Sequence, residues 1–137
     1  MVGTIHKLNT DLVCLLETRV KENKIKEIVN KQFQGWRLFH NYSKAYNGRI
    51  WLLWKGSVDV NLLDVTDQSI TCKIHMDSHN FFFSAIYGSN DGIERRKLWD
   101  HLIFLHSSIY AEPWILTGDL TSLHKQMKVI LWFQWLV

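Results

Sequence analysis

Asp11-Leu-Val-Cys-Leu-Leu-Glu17 is a short, uninterrupted apolar run that ends in a carboxylate. A run of this length without polar alternation indicates a β-strand that is covered on both faces. Such a strand needs a packed layer on each side, so the run predicts a layered α/β architecture. Glu17 would then emerge at one edge of the sheet.

Two later stretches have the same character. Phe81-Phe-Phe-Ser-Ala-Ile-Tyr87 is largely apolar and leads into Gly-Ser-Asn90, while Trp114-Ile-Leu-Thr117 leads into Gly118-Asp119. In layered α/β folds, ligand sites form where buried strands emerge at a shared edge. The sequence therefore predicts one edge that collects polar side chains from three strands. They are Glu17, Tyr87, Asn90 and Asp119.

The two acids at this edge suggest a metal site. Mg²⁺ prefers oxygen ligands and is typically held by one or two carboxylates, waters and a substrate phosphate. Glu17 and Asp119 could supply the carboxylates. The spacing alone equally allows both acids to end their strands in solvent without binding anything.

Helices and a meander fill the chain between these strands. Residues 1–9 read as the stub of a helix, apolar spacing predicts a helix over 21–33, and Asp91 followed by Glu94 indicates a capping box that starts another. From 36 to 88, β-type segments alternate with turn residues, which predicts an antiparallel meander. Its strands would be 36–40, 50–55, 58–65, 69–76 and 80–87. The expected fold class is α/β, a mixed sheet with an antiparallel meander flanked by helices.

The composition restricts the classes of protein. The chain has 137 residues, a formal net charge of +3, 47% hydrophobic and 21% charged residues, which is typical of one globular domain and excludes a disordered chain. We expect no signal peptide, because no basic segment precedes an apolar one, and no membrane partner, because the apolar tail at 127–137 is too short to cross a bilayer. No targeting signal is visible, so an intracellular location in either nucleus or cytoplasm stays open.

The strand-end motifs resemble those of the endonuclease/exonuclease/phosphatase superfamily. Leu-Leu-Glu17-Thr18 is similar to its L-Q-E-T strand, Tyr87-Gly-Ser-Asn90 to its Y-x-x-N motif, and Gly118-Asp119-Leu-Thr121 to its G-D-x-N motif. Other stretches resemble a narrower group, the apurinic-endonuclease-like domain of plant LINE-type (non-LTR) retrotransposons. They are Glu17-Thr-Arg-Val-Lys21, Gly48-Arg-Ile-Trp51, Ile86-Tyr-Gly-Ser-Asn90 and Arg95-Arg-Lys-Leu-Trp99.

This resemblance implies a four-layered α/β sandwich and a Mg²⁺-dependent phosphodiesterase that nicks DNA. Carried over to this chain, Glu17 would ligate the metal, and Tyr87 would support the phosphate or the leaving group. Asn90 would help to orient the substrate, and Asp119 would position or activate the attacking water. Metal charge on the developing oxyanion and a base for water are what such a reaction needs.

Cations follow the first acid closely. Arg19, Lys21 and Lys24 could contact DNA phosphates, which would make DNA the partner. A solvated helix face accounts for the same pattern.

The chain also departs from the family pattern. The family opens with a strand that bears a W-N asparagine and closes with an S-D-H motif, and neither is found here; Thr121 stands where G-D-x-N has its asparagine. We therefore expect a domain truncated at both ends over 1–119, followed by a non-homologous apolar tail at 120–137. Losing several groups that act together should leave almost no activity.

Two alternatives to a catalytically inactive, truncated domain stay open. One is a residually active phosphodiesterase, completed by a second chain. The other is a non-catalytic module that binds nucleic acid or protein. If most of the second sheet is missing, the inner face of the meander would be uncovered, and this exposed apolar surface could drive self-association.

Overall fold

The computed structural model describes residues 10–46, 48–109, 112–119 and 128–131. Over these residues the chain forms strands, two α-helices and a short 3₁₀ turn at Glu22–Lys24. The strands are β1 (Leu12–Leu16), β2 (Arg37–His40), β3 (Ile50–Trp54), β4 (Asp59–Val65), β5 (Ser69–Met76), β6 (His79–Tyr87), β7 (Trp114–Asp119) and β8 (Lys128–Leu131). The helices are α1 (Ile25–Gln32) and α2 (Gly92–Ser108).

Within these ranges the strands make two four-stranded sheets. The first has the order β2-β3-β1-β8 and is antiparallel throughout; the second has the order β4-β5-β6-β7 and is mixed, because β6 and β7 run parallel. A parallel pair needs a crossover, and α2 supplies it between β6 and β7. The predicted α/β class with a mixed sheet and flanking helices is confirmed.

The apolar run of β1 is explained by its position between two layers. Cys14 and Leu16 point into the space between the sheets, whereas Val13 and Leu15 pack toward α1. Because successive side chains of a strand point to opposite faces, a strand covered on both sides must be apolar at every position. Every residue of β1 is buried, as the sequence predicts.

Apolar side chains from both sheets fill the space between them. Trp54 from the first sheet and Ile70, Phe81 and Phe83 from the second belong to one continuous buried core. On the outer side of the second sheet, Ile86 packs against α2. The layers are thus α1, first sheet, second sheet and α2. The expectation of an uncovered inner face is wrong for the described residues, because two four-stranded sheets pack against each other.

The predicted meander is in fact divided between the two sheets. β2 and β3 pair in the first sheet, while β4, β5 and β6 pair in the second. The segment 55–57, predicted as a hairpin loop, instead carries the chain from one sheet to the other. The reason is burial: β3 is apolar on both faces, so it takes a central place beside β1, with Leu53 opposite Val13.

Helix α2 begins as predicted but with half of the expected capping box. The Asp91 carboxylate accepts hydrogen bonds from the backbone N–H groups of Ile93 at 2.8 Å and Glu94 at 3.5 Å. The Glu94 carboxylate does not reach back; it accepts instead from Lys97 at 2.8 Å. The apolar residues at helical spacing in α2, Leu98, Leu102 and Leu105, are buried, and Ile109 just after the helix continues them.

Parts of the terminal predictions fall outside the described residues. The helix stub at 1–9 lies there entirely. Of the tail at 120–137, residues 128–131 are described, and they form β8, with Ile130 opposite Cys14 of β1. The boundary between domain and tail stays a prediction. In the part of the chain that the structure describes, no helix is long and apolar enough to cross a membrane.

Candidate functional site

The strand directions bring the predicted residues to one edge of the sandwich. β6 and β7 end there side by side, with Tyr87 in register with Asp119. In the first sheet, the backbone N–H of Glu17, just after β1, donates to the carbonyl of Arg49 at 2.7 Å. The Arg49 guanidinium in turn lies 5.5 Å from the centroid of the Tyr87 ring, so it connects the two sheets. The edge predicted from sequence therefore exists.

Glu17 is the buried acid of this edge, with 8% of its surface exposed. One carboxylate oxygen, Oε1, accepts a hydrogen bond from Arg19 Nη2 at 2.8 Å. The other, Oε2, is buried and has no hydrogen-bond partner among the described residues. A buried, unpartnered carboxylate oxygen is costly, because it has lost water without gaining a donor. A cation would satisfy it.

The turn that carries Glu17 is also strained. Glu17 and Arg19 have φ angles of +55° and +53°, a region that residues other than glycine rarely adopt. Between them, Thr18 is buried, and its hydroxyl oxygen too lacks a partner within the described ranges. Strained backbone of this kind clusters at functional sites, where the surrounding structure holds it.

The donor set fits a weakly held hard cation. Glu17 Oε2 offers the kind of ligand that Mg²⁺ prefers, and Mg²⁺ can bind through one or two carboxylates when waters and a substrate phosphate complete its shell. The described residues contain no group of three or more His, Cys, Asp or Glu side chains that could hold a metal alone. A cation at Glu17 would therefore take the rest of its coordination from waters and, when DNA is bound, from a substrate phosphate.

The other predicted site residues lie at the ends of β6 and β7 and in two connecting segments. Tyr87 is buried, and its backbone N–H donates to the carbonyl of Gln68 at 2.9 Å. Asn90 is exposed in the bend between β6 and α2, and Asp119 is the last residue of β7. Lys21 is exposed just before the 3₁₀ turn.

Two of the predicted DNA-contacting cations have acidic neighbours. Arg19 pairs with Glu17, and Lys24 lies 3.9 Å from Glu27. An exposed pair at this distance is weak, so Lys24 could still exchange its partner for a phosphate. Arg19 is held by a charge-assisted hydrogen bond to a buried carboxylate, which makes it part of the acidic centre.

Gly118 fixes the position of Asp119 beside Tyr87. Its φ angle is +141°, and a Cβ atom built there would lie 1.8 Å from the carbonyl oxygen of Ile86. No side chain fits at that distance, so the close approach of β7 to β6 requires glycine. The glycine of the Gly118-Asp119 motif thus has a structural cause independent of any resemblance.

Neither cysteine belongs to the site. Cys14 and Cys72 lie in the core between the sheets, and burial raises the pKa of each thiol to about 12. Both thiols therefore stay protonated at neutral pH and are poor nucleophiles. This excludes thiolate chemistry at these two residues.

A cavity of about 270 Å³ next to Tyr87 was missed by the sequence reasoning. Its walls come from the connections β2–β3, β4–β5 and β6–α2, which are far apart in the chain. The lining residues are Lys44, Ala45, Tyr46, Arg49, Asp67, Gln68, Tyr87 and Ser89. The sequence signal for this cavity is a pair of cations, Lys44 and Arg49, on either side of a turn. Arg49 also belongs to the stretch Gly48-Arg-Ile-Trp51 quoted above for its family resemblance.

Two buried amides hold the walls of this cavity. Asn41 Oδ1 accepts from the backbone N–H groups of Arg49 and Ile50 at 2.9 and 3.1 Å. Its Nδ2 donates across to the carbonyls of Thr66 and Asp67 in the second sheet, at 3.3 and 3.1 Å.

Gln68 provides the second of these amides. Its Nε2 donates to the Glu94 carbonyl at 2.8 Å, and its Oε1 accepts from the Ser89 N–H at 2.7 Å. Together, Asn41 and Gln68 tie both sheets and α2 to the same cavity.

Several solved structures share this fold. TDP2 of D. rerio, humanized by 14 mutations, matches with a TM-score of 0.64 and 11% identity over 87% of this chain and 52% of that one. ANGEL2, described as a 2′,3′-cyclic phosphatase, gives 0.63 and 13% over 88% and 42%. The catalytic domain of human Nocturnin, with bound sulfate, gives 0.55 and 12% over 88% and 54%.

At 11–13% identity these likenesses show the fold alone, which this chain shares with TDP2, ANGEL2 and Nocturnin. The chain spans about half the length of the solved structures it matches, 52% of the TDP2 chain and 54% of the Nocturnin chain. No family model matches the chain, and no curated protein does. The narrower resemblance to plant LINE-type retrotransposons rests on the sequence motifs.

Proposed function

We propose that this edge is the DNA site of a Mg²⁺-dependent endonuclease-like domain of LINE-type retrotransposon origin, whose ancestral reaction is DNA nicking. The observation that carries the proposal is the buried, unpartnered Oε2 of Glu17 on a strained turn. Its location supports the same reading, because Glu17, Tyr87 and Asp119 lie where the strands of both sheets emerge.

Each residue would have a separate task. Glu17 would hold the cation, which supplies positive charge near the scissile phosphate when it is bound. Asp119 would orient or deprotonate the attacking water, and Tyr87 would support the phosphate or the leaving group. Asn90, exposed in the adjoining bend, would orient the substrate.

We expect turnover in this chain to be very slow. Thr121 stands where the resembling motif has asparagine, and a hydroxyl cannot replace both donors of an amide. Losing one positioned group of this type costs about 10²–10⁴-fold in rate. The chain would then act mainly by binding DNA at a site built for cleavage.

Mg²⁺ should stabilise the wild-type chain but not Glu17→Gln. A ligand at ten times its Kd adds about 1.4 kcal/mol, which for a domain of this size raises Tm by about 5 °C. Thermal unfolding with Mg²⁺ and with EDTA measures the shift. Glu22→Gln, an exposed carboxylate before α1, is the matched control and should keep the full shift. An equal shift in Glu17→Gln would contradict the site.

Nicking of supercoiled plasmid tests the chemistry on the same samples, once far-UV circular dichroism confirms that they are folded. We expect nicking at background level. Nicking that disappears with EDTA, in Glu17→Gln and in Asp119→Asn would support the proposed site and overturn the expectation that the chain is inactive. Metal-independent nicking would overturn the proposed mechanism.

The exposed face of α2 favours self-association as a second candidate role. Trp99, Ile103 and Phe104 are 44%, 69% and 66% exposed. This apolar surface lies on a helix, whereas the sequence predicts one on the inner face of a sheet. Contiguous apolar surface of this kind marks protein contact sites. We expect sedimentation velocity to show a concentration-dependent dimer that Ile103→Lys abolishes.

The matched control for this dimer is Gln34→Lys, which adds the same charge in the exposed segment between α1 and β2, at the opposite outer layer. It should leave the dimer intact. A monomer at all concentrations, or equal loss of the dimer in both variants, would contradict the role of α2.

A further inference from the structure

We propose that the cavity bounded by Lys44 and Arg49 binds a backbone phosphate of DNA that flanks the phosphate at Glu17, an inference that rests on the proposed function. Both cations line this cavity together with the Ser89 and Gln68 side of the second sheet. Two cations within one concave surface suit an oxyanion, and the planar guanidinium of arginine can donate two hydrogen bonds to it.

Neither cation is paired with a carboxylate in the described part of the chain. Lys44 and Arg49 form no ion pair there, in contrast to Arg19, whose guanidinium pairs with Glu17. Both side chains are therefore available to a phosphate without first losing a carboxylate partner. This availability also distinguishes them from Lys24, which lies near Glu27.

Asp67 is the one acid among the described lining residues, and its charge acts on the nearby Lys97. The pKa of Lys97 is raised, mainly by its hydrogen bond to Glu94 and the charge of that residue, and more weakly by the charge of Asp67. The lining residues that the structure describes carry a net positive charge, with Lys44 and Arg49 against Asp67.

The Arg49 guanidinium is held in place rather than free in solvent. It lies over the Tyr87 ring, and the backbone N–H of Arg49 donates to Asn41, whose amide also binds the second sheet. A pre-positioned cation loses less conformational entropy on binding an anion. Because Tyr87 also borders the Glu17 edge, the two phosphates would be neighbours on one strand.

The rim of the cavity offers a ring for a nucleotide as well. Tyr46 is 96% exposed, so it has no part in the core. Exposed aromatic side chains beside cations are the usual platform for stacking bases. Tyr46 therefore favours a nucleic-acid strand over a small phosphate ester as the occupant.

The test is the salt dependence of DNA binding, measured by fluorescence anisotropy with a short fluorescein-labelled duplex in EDTA. Each phosphate contact contributes about 0.9 to the slope of log K against log salt concentration. Because both cations would contact the same phosphate, we expect the double variant Lys44→Gln, Arg49→Gln to lower the slope by about 0.9, which at 0.1 M salt is about eightfold weaker binding. Each single variant should lower the slope by part of that amount. Arg49→Lys keeps the charge and should keep the slope.

Arg96→Gln removes an exposed charge from α2 and is the matched control, with no expected change in slope. An unchanged slope in folded Lys44→Gln and Arg49→Gln would overturn the inference, and so would an equal fall in Arg96→Gln. Since EDTA removes any metal, this result is independent of the Mg²⁺ stabilisation of Glu17. Each of the two proposals can therefore fail while the other stands.

Discussion

Gly118→Ala is expected to destabilise the fold by about 3 kcal/mol or more, because the new Cβ would overlap the backbone of the neighbouring strand. The atom would lie 1.8 Å from the carbonyl oxygen of Ile86, and a φ of +141° disfavours any side chain. β7 must therefore move away from β6, which also moves Asp119 from Tyr87. Urea unfolding followed by far-UV circular dichroism measures the loss.

Gly92→Ala is the control for this substitution. A Cβ at Gly92 meets no atom within 4 Å, and the residue starts α2, so alanine should be neutral or stabilise by up to about 1 kcal/mol. If Gly118→Ala unfolds at the same urea concentration as Gly92→Ala, the close packing of β7 on β6 is not what fixes the edge of the second sheet.

The sequence predicts elements well wherever one local pattern decides them. β5 spans Ser69–Met76 as expected, because its alternation of apolar and polar residues has a single interpretation. The start of α2 follows in the same way from Asp91, whose carboxylate caps the helix. These signals lie within a few residues, so neither needs knowledge of tertiary contacts.

The misplaced meander shows where local patterns fail. Turn residues at 55–57 look the same whether the chain returns within a sheet or crosses to another. What decides is that β3 is apolar on both faces and pairs with β1, from which it is separated by α1 and β2. Pairing of this kind depends on which faces remain uncovered, and no window of neighbouring residues contains that information.

The candidate site also combines residues that local patterns predict with a cavity that they do not predict. Glu17, Tyr87 and Asp119 each end an apolar strand, so their gathering could be predicted from the strands alone. The cavity of Lys44 and Arg49 could not, because its walls come from loops of both sheets and from the start of α2. Trp99 is a third case: it lies on the exposed side of α2, and its residue type alone does not indicate that exposure.

Asn41→Ala should cost about 3–5 kcal/mol, although it removes one small side chain. Asn41 is fully buried and its amide makes four hydrogen bonds, all to backbone groups. Alanine would leave those groups without partners, at about 1–3 kcal/mol for each that water cannot reach. Domains of this size are stable by about 5–15 kcal/mol in total, so urea unfolding should show a large shift in midpoint.

Asn41→Asp separates the two halves of this network. Aspartate keeps the oxygen that accepts from Arg49 and Ile50 but loses the donor to Thr66 and Asp67 in the second sheet. It also buries a carboxylate oxygen against those two carbonyl oxygens, so we expect its urea midpoint to fall at least as far as that of Asn41→Ala. Trp51 Nε1 also donates a hydrogen bond to the Tyr42 hydroxyl in this region, at 3.2 Å. If Asn41→Ala costs less than about 1 kcal/mol, that hydrogen bond holds the loop instead, and Asn41 does not organise the cavity.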